Sequence, residues 1–229
     1  SFLKLPESLH PEFRRSLHAG EIWTGVKQAA TDRLSIGYTL ALTSVFGGLT
    51  AYIASIQQIV ADVFDSGQWI GVIFAVVAAP MAVASWGNSR VVGHFGLRRT
   101  GHAGLLAFVT ITTLHAVIAG SMTEPLWLFA LLMASSFVAF AFTTSNFGTL
   151  AMSNMAPIAG TASSFQGVTG TLGGASIGLV IGQSFDGTQL PFLVGLAACG
   201  LVGLGLVLWT EHFRLFAGLV RPDEEERAE

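Results

Sequence analysis

All eleven Lys and Arg residues of this chain lie on one side of a pattern of six long apolar runs, a sorting that a soluble fold does not need. The runs read as about 34–61, 69–92, 102–120, 126–152, 158–185 and 190–210. Lys4, Arg14, Arg15, Lys27 and Arg33 precede the first. Arg90 stands at the end of the second, Arg98 and Arg99 fall between the second and third, and Arg214, Arg221 and Arg227 follow the sixth. The connections after the first, third and fifth runs hold Asp62, Asp65, Glu124 and Asp186 but no cation. The positive-inside rule then puts both termini in the cytoplasm, with the basic connection beside them.

Composition supports the membrane reading. Charged residues make up 11% of the chain, against roughly 25% in ordinary soluble domains. A bilayer-spanning helix needs about 20 mostly apolar residues, and the six runs use most of the length. The expected fold is therefore all-α, an integral membrane bundle of six transmembrane helices over 34–210, in the cell's inner (plasma) membrane. Residues 1–33 read as a cytoplasmic segment with a short amphipathic helix at about 20–30 on the membrane surface. Residues 211–229 read as a solvated acidic tail ending in Asp223, Glu224, Glu225 and Glu226. The start at Ser1 without a signal peptide reads as the middle of a longer polypeptide.

Prolines mark element boundaries. Pro125 and Pro191 stand where the fourth and sixth spans should begin, Pro157 closes the connection before the fifth, and Pro80 predicts a kink inside the second. The lone Cys199 lies within the sixth span, so neither a disulfide framework nor a Cys-based metal site is expected. No nucleophile–base pair, HExxH or Walker A pattern occurs, so the chain reads as a non-enzyme without cofactor or metal. No basic, aromatic-laced patch points to nucleic acid.

Three constellations stand out. The connection from Asn88 to Arg99 concentrates Arg90, His94, Gly96, Arg98 and Arg99. It is either a plain positive-inside loop or a gating loop whose cations pair differently in two states. Gly170, Gly174, Gly178 and Gly182, spaced by four, share one face of the fifth span. Such a face lets a neighbouring helix approach closely, and it permits sliding or rocking. Polar and aromatic residues also line helix faces: Ser35, Thr39, Thr43, Phe46 and Thr50 in the first span, Phe140, Thr143, Asn146 and Phe147 in the fourth, and Phe165 with Gln166 early in the fifth. Facing an aqueous cavity, Phe46, Phe140, Asn146, Phe165 and Gln166, with Tyr38 and Tyr52, would hold an amphipathic molecule. Facing neighbours, the same residues would be packing. His115 is the one ionisable residue deep in a run, read as structural in preference to proton transfer.

Several of these segments resemble the major facilitator superfamily. Phe95-Gly96-Leu97-Arg98-Arg99 is similar to the end of that family's Asp-Arg-x-Gly-Arg-Arg loop, with Gly93 and His94 in place of the leading Asp and Arg. This weakened form resembles the C-terminal half of the family, and it implies no Asp-centred relay in the loop. The stretches from Asn146 to Met152, Ala159 to Gly167 and Gly182 to Thr188, with Leu5-Pro6-Glu7-Ser8-Leu9, resemble the drug/proton antiporters of the Bcr/CflA type. The resemblance implies the C-terminal six-helix half of a proton-coupled multidrug efflux antiporter working by alternating access. Its first, second, fourth and fifth spans would supply the cavity. Implied partners are the bilayer, the N-terminal six-helix half, a hydrophobic or amphipathic small molecule, and a proton whose carboxylate site lies in the other half. Two alternatives stay open: a stand-alone six-span scaffold that binds a partner, and a half-size transporter acting as a homodimer.

Overall fold

The computed structural model describes residues 19–216, and the readings made for 1–18 and 217–229 lie outside them. A short helix, α1 (Ala19–Thr31), leads into six long ones: α2 (Arg33–Gln58), α3 (Ile70–Phe95), α4 (Leu97–Ser121), α5 (Leu126–Ala151), α6 (Ala159–Gln183) and α7 (Leu190–Thr210). No strand occurs among the described residues. Helices are the open-ended solution for a chain this apolar, because each satisfies its own backbone without water.

Five of the long helices, α2, α3, α4, α5 and α7, have the length and hydropathy to cross a membrane, the architecture of a multi-pass membrane protein. The sixth expected run is where the count falls short. α6 is 25 residues long but is diluted by Gly, Ser, Thr and Gln, and it does not reach the same hydropathy.

Local chemistry explains the breaks. Asp32 caps α2, its Oδ1 accepting the Ser35 N–H at 2.8 Å. α2 ends in a π turn (Ile59–Val63), followed by Asp65 in the left-handed region at φ 46°. The helix of α3 runs through Pro80 without interruption. The basic connection expected from Asn88 to Arg99 is almost wholly helical, because α3 extends to Phe95, α4 starts at Leu97, and Gly96 alone joins them at φ 82°. The expected spans, ending at about 92 and resuming at about 102, left Arg98 and Arg99 outside a helix. Long Arg side chains, however, reach water from within a helix, so charge does not end it.

The helices alternate in direction. α2 starts beside the end of α7, where the Arg33 guanidinium meets the Trp209 carbonyl and lies 4.9 Å from its ring centroid. At the opposite end, Val63, Phe64, Glu124 and Thr188 meet around one cavity. The bundle thus has a basic end and an acidic end. Trp residues mark both: Trp23, Trp86 and Trp209 toward the basic end, Trp69 and Trp127 toward the acidic one, all exposed. Trp69 and Trp86 lie on one helical run, about 25 Å apart at 1.5 Å per residue. That separation matches a hydrocarbon core of about 30 Å with aromatic belts at its edges.

α2 sits at the centre, packed on α5, α6 and α7. α4 joins α5 to α7, α3 leans on α5, and α3 and α6 make no substantial contact with each other. One side of the bundle is therefore open, with α2 and α5 as its floor and α3 and α6 as its walls. The core fills the other side around Tyr38, Leu105, Phe108, Phe129, Phe137 and Leu193. α1 packs on the start of α6 through Gly25, which faces Thr161, and through Ala29 beside Met155, Ile158 and Ala162.

Candidate functional site

The open side carries a groove of about 410 Å³ above α2 and between α5 and α6. Phe46 comes from α2, Phe140 and Thr144 from α5, and Gln166, Gly170 and Thr171 from α6. The rings supply apolar surface. The Thr144 hydroxyl is occupied, donating to the Phe140 carbonyl at 3.0 Å. Gln166 differs: its Nε2 is buried and has no hydrogen-bond partner. A buried amide donor without a partner costs about 1–3 kcal/mol, and this one lies beside Gly148 of α5.

An aromatic run extends the floor. Phe140 lies 5.5 Å from Phe137, Phe137 4.9 Å from Tyr52, and Tyr52 5.6 Å from Phe74 of α3, all between ring centroids. The Tyr52 hydroxyl is also buried without a partner. Of the seven cavity candidates, Phe46, Phe140 and Gln166 meet in the groove, and Tyr52 adjoins it through Phe137.

The other three lie elsewhere. Tyr38 is fully buried at the basic end, where its O–H donates to Glu211 Oε1 at 2.6 Å and its oxygen lies 2.8 Å from His102 Nε2. The Phe216 N–H donates to His102 Nδ1 at 3.1 Å, which leaves Nε2 to carry the proton and donate to Tyr38. Asn146 binds Asn88 Oδ1 of α3 at 2.9 Å and the Phe142 carbonyl at 2.6 Å, bridging α5 to α3. Phe165 packs against the small cluster that holds α1. Tyr38 thus faces α4 and the end of α7, Asn146 faces α3 and Phe165 faces the α1 cluster, none of them the groove.

The glycine face is an interlock with α2. A Cβ on Gly174 would come within 2.8 Å of Phe46, one on Gly178 would overlap Thr50, and one on Gly182 would sit 3.4 Å from Ala54. The relation is reciprocal, since a Cβ on Gly47 of α2 would meet Ile177 at 2.6 Å. The Thr50 hydroxyl adds a bond across the seam to the Gly174 carbonyl at 2.6 Å. Gly170 departs from its companions: nothing stands over it, because it lines the groove.

The basic cluster does not act as one loop. Arg98 pairs with Glu211 at 3.2 Å, Arg90 lies 4.1 Å above the Trp86 ring, His94 is exposed against Phe95, and Arg99 is exposed. Glu211, expected at the head of a solvated tail, is instead buried between Arg98 and Tyr38. The turn after it holds His212, Phe213 and Phe216 at left-handed φ values of 51°, 62° and 64°.

His115 also gains a partner not read from sequence. Glu124, assigned to a connection, folds back so that its carboxylate oxygens lie 2.9 and 3.1 Å from His115 Nε2, with both side chains fully buried. Nearby, the Thr188 hydroxyl donates to Asp186 at 2.7 Å and holds that exposed carboxyl below the usual carboxylate range. Among the described residues no three His, Cys, Asp or Glu side chains cluster as metal ligands would.

Comparison with protein-family models, with curated proteins and with solved structures returns no match.

Proposed function

We propose that this chain is one six-helix half of a membrane transporter of the alternating-access type, taking hydrophobic or amphipathic small molecules. The groove is its share of the binding cavity. In this reading α6 is the sixth span, and its low hydropathy follows from lining a wet cavity instead of lipid. The observation that carries the reading is the unpartnered amide of Gln166, a residue that lines the groove with Phe46 and Phe140. A few polar groups fixed among aromatic walls are what an amphipathic ligand requires.

The motif resemblance supports a proton-coupled multidrug antiporter of the Bcr/CflA type. The second bundle would then cover the open side, both termini would face the cytoplasm of an inner (plasma) membrane, and the driving proton would bind in that other half. The α2–α6 glycine interlock supports the mechanism, because a smooth seam lets two helices tilt together as the cavity changes side.

The test is accumulation of a fluorescent amphipathic cation in cells expressing the natural gene. Wild-type cells should accumulate less dye than cells without the gene, and an uncoupler should abolish the difference. Gln166→Leu and Phe140→Ala should change which dyes are excluded at equal protein level. Equal accumulation with and without the gene removes the transporter reading.

A further inference from the structure

A second cavity, a slot of about 770 Å³, opens between α3, α4 and α5 at the basic end, away from the groove. Its floor follows α4 through Arg99, Ala103, Ala107 and Ile111. Spaced by four, these residues share one helix face over about 18 Å. That length is slightly more than one leaflet of a hydrocarbon core about 30 Å thick. Ala103 and Ala107 are exposed and leave a channel flanked by Phe95 of α3 and Phe142 of α5.

The walls are apolar apart from Ser135, whose hydroxyl donates to the Leu131 carbonyl at 2.8 Å, and two residues at the basic mouth. Thr100 lines the slot and is only 6% exposed, yet its hydroxyl has no hydrogen-bond partner. Thr110 and Thr112 of the same helix, by contrast, donate to the carbonyls of Leu106 and Phe108 at 2.8 Å. Arg99 is exposed, and among the described residues no carboxylate pairs with it. Its neighbours are committed, Arg98 to Glu211 and Arg90 to the face of Trp86. Phe216 closes the basic end, held by its N–H on His102.

A cation and a buried hydroxyl, each without a partner among the described residues, thus stand at the head of an apolar channel one leaflet deep. We propose that the slot binds an anionic glycerophospholipid. One acyl chain lies along Ala103, Ala107 and Ile111, the phosphate rests on Arg99, and the Thr100 hydroxyl donates to an oxygen of the headgroup or glycerol ester. The charge selects an anionic over a zwitterionic lipid, and the channel selects a lipid over a free anion. The inference is independent of what the groove on the opposite side transports.

Native mass spectrometry of the purified full chain in detergent, with equal dioleoyl phosphatidylglycerol and dioleoyl phosphatidylcholine, tests it. The anionic lipid should be retained about fivefold over the zwitterionic one, the preference expected of one arginine near the surface. Arg99→Ala should bring that ratio close to one and Arg99→Lys should keep it. Ala107→Phe should lower retention of both lipids by filling the channel. If that variant does not fold, Ala103→Leu fills the same face one turn away. Millimolar inorganic phosphate should displace neither lipid. Equal retention by the wild type, a ratio untouched by Arg99→Ala, or displacement of the anionic lipid by phosphate would each overturn the proposal.

Discussion

His115 and Glu124 are the residues where burial and charge meet most sharply. A carboxylate and an imidazole share a fully buried site at 2.9 Å, with the imidazole edge 5.4 Å from the Phe129 centroid. Removing one member of such a pair leaves the other buried without compensation, at about 3–5 kcal/mol. His115→Ala should therefore lower the unfolding midpoint in detergent far more than His212→Ala, an exposed position. Equal midpoints would mean that the pair is solvated. Glu124→Gln, which keeps an oxygen acceptor for an imidazole N–H, should cost less than His115→Ala. The sequence showed His115 as an ionisable residue in an apolar run, but it could not show its partner. Glu124 precedes Pro125 outside any span, and only the turn between α4 and α5 brings it back over His115. Glu211 was hidden for the same reason: it lies one residue beyond α7, where polarity alone reads as tail, and its burial depends on Tyr38 and Arg98 from two other helices.

Among the helices, α6 shows how one periodic signal can serve two purposes. Gly174 and Gly178 meet Phe46 and Thr50 of α2, whereas Gly170 faces open space in the groove. Overpacking a close helix seam costs about 1–3 kcal/mol or more. Gly178→Leu should thus destabilise the bundle by at least that range, read as a lowered midpoint and reduced protein level. Gly170→Ala should leave both unchanged while narrowing the groove. If the two substitutions had equal effects on stability, the seam would not run where the structure places it. The spacing by four made the shared face legible in sequence, but which turn of that face meets a neighbour depends on where α2 and α6 diverge. Gly96 is a different case. It is the only residue between α3 and α4 and sits at φ 82°, where a β-branched side chain is strained by about 1–3 kcal/mol. Gly96→Val should lower the midpoint accordingly, whereas Gly93→Val, in the helix with nothing around it, should not.

At the scale of the bundle, the sorted cations and the tryptophans describe the same axis from independent chemistry. Cations collect at one end through their cost of translocation, whereas Trp settles at both ends because its ring is apolar and its N–H is polar. The six runs made the helices legible, but they did not distinguish the lipid side of the bundle from its open side. That distinction depends on which helices fail to touch, here α3 and α6. It has a direct consequence for water. If the open side is a cavity, cysteines placed at Thr144 or Thr171, which line the groove, should react with a membrane-impermeant maleimide. A cysteine at Leu201 of α7 is exposed in the bundle to a comparable degree, 53% by area, but faces away from the groove and should stay unreactive in lipid. The native Cys199 is buried and serves as the silent background. An amphipathic dye that occupies the groove should protect Thr144→Cys and Thr171→Cys together, since they face each other across α2. Labelling at Leu201→Cys equal to that at Thr171→Cys would show that the open side is lipid-facing, and the transporter reading would fail with it.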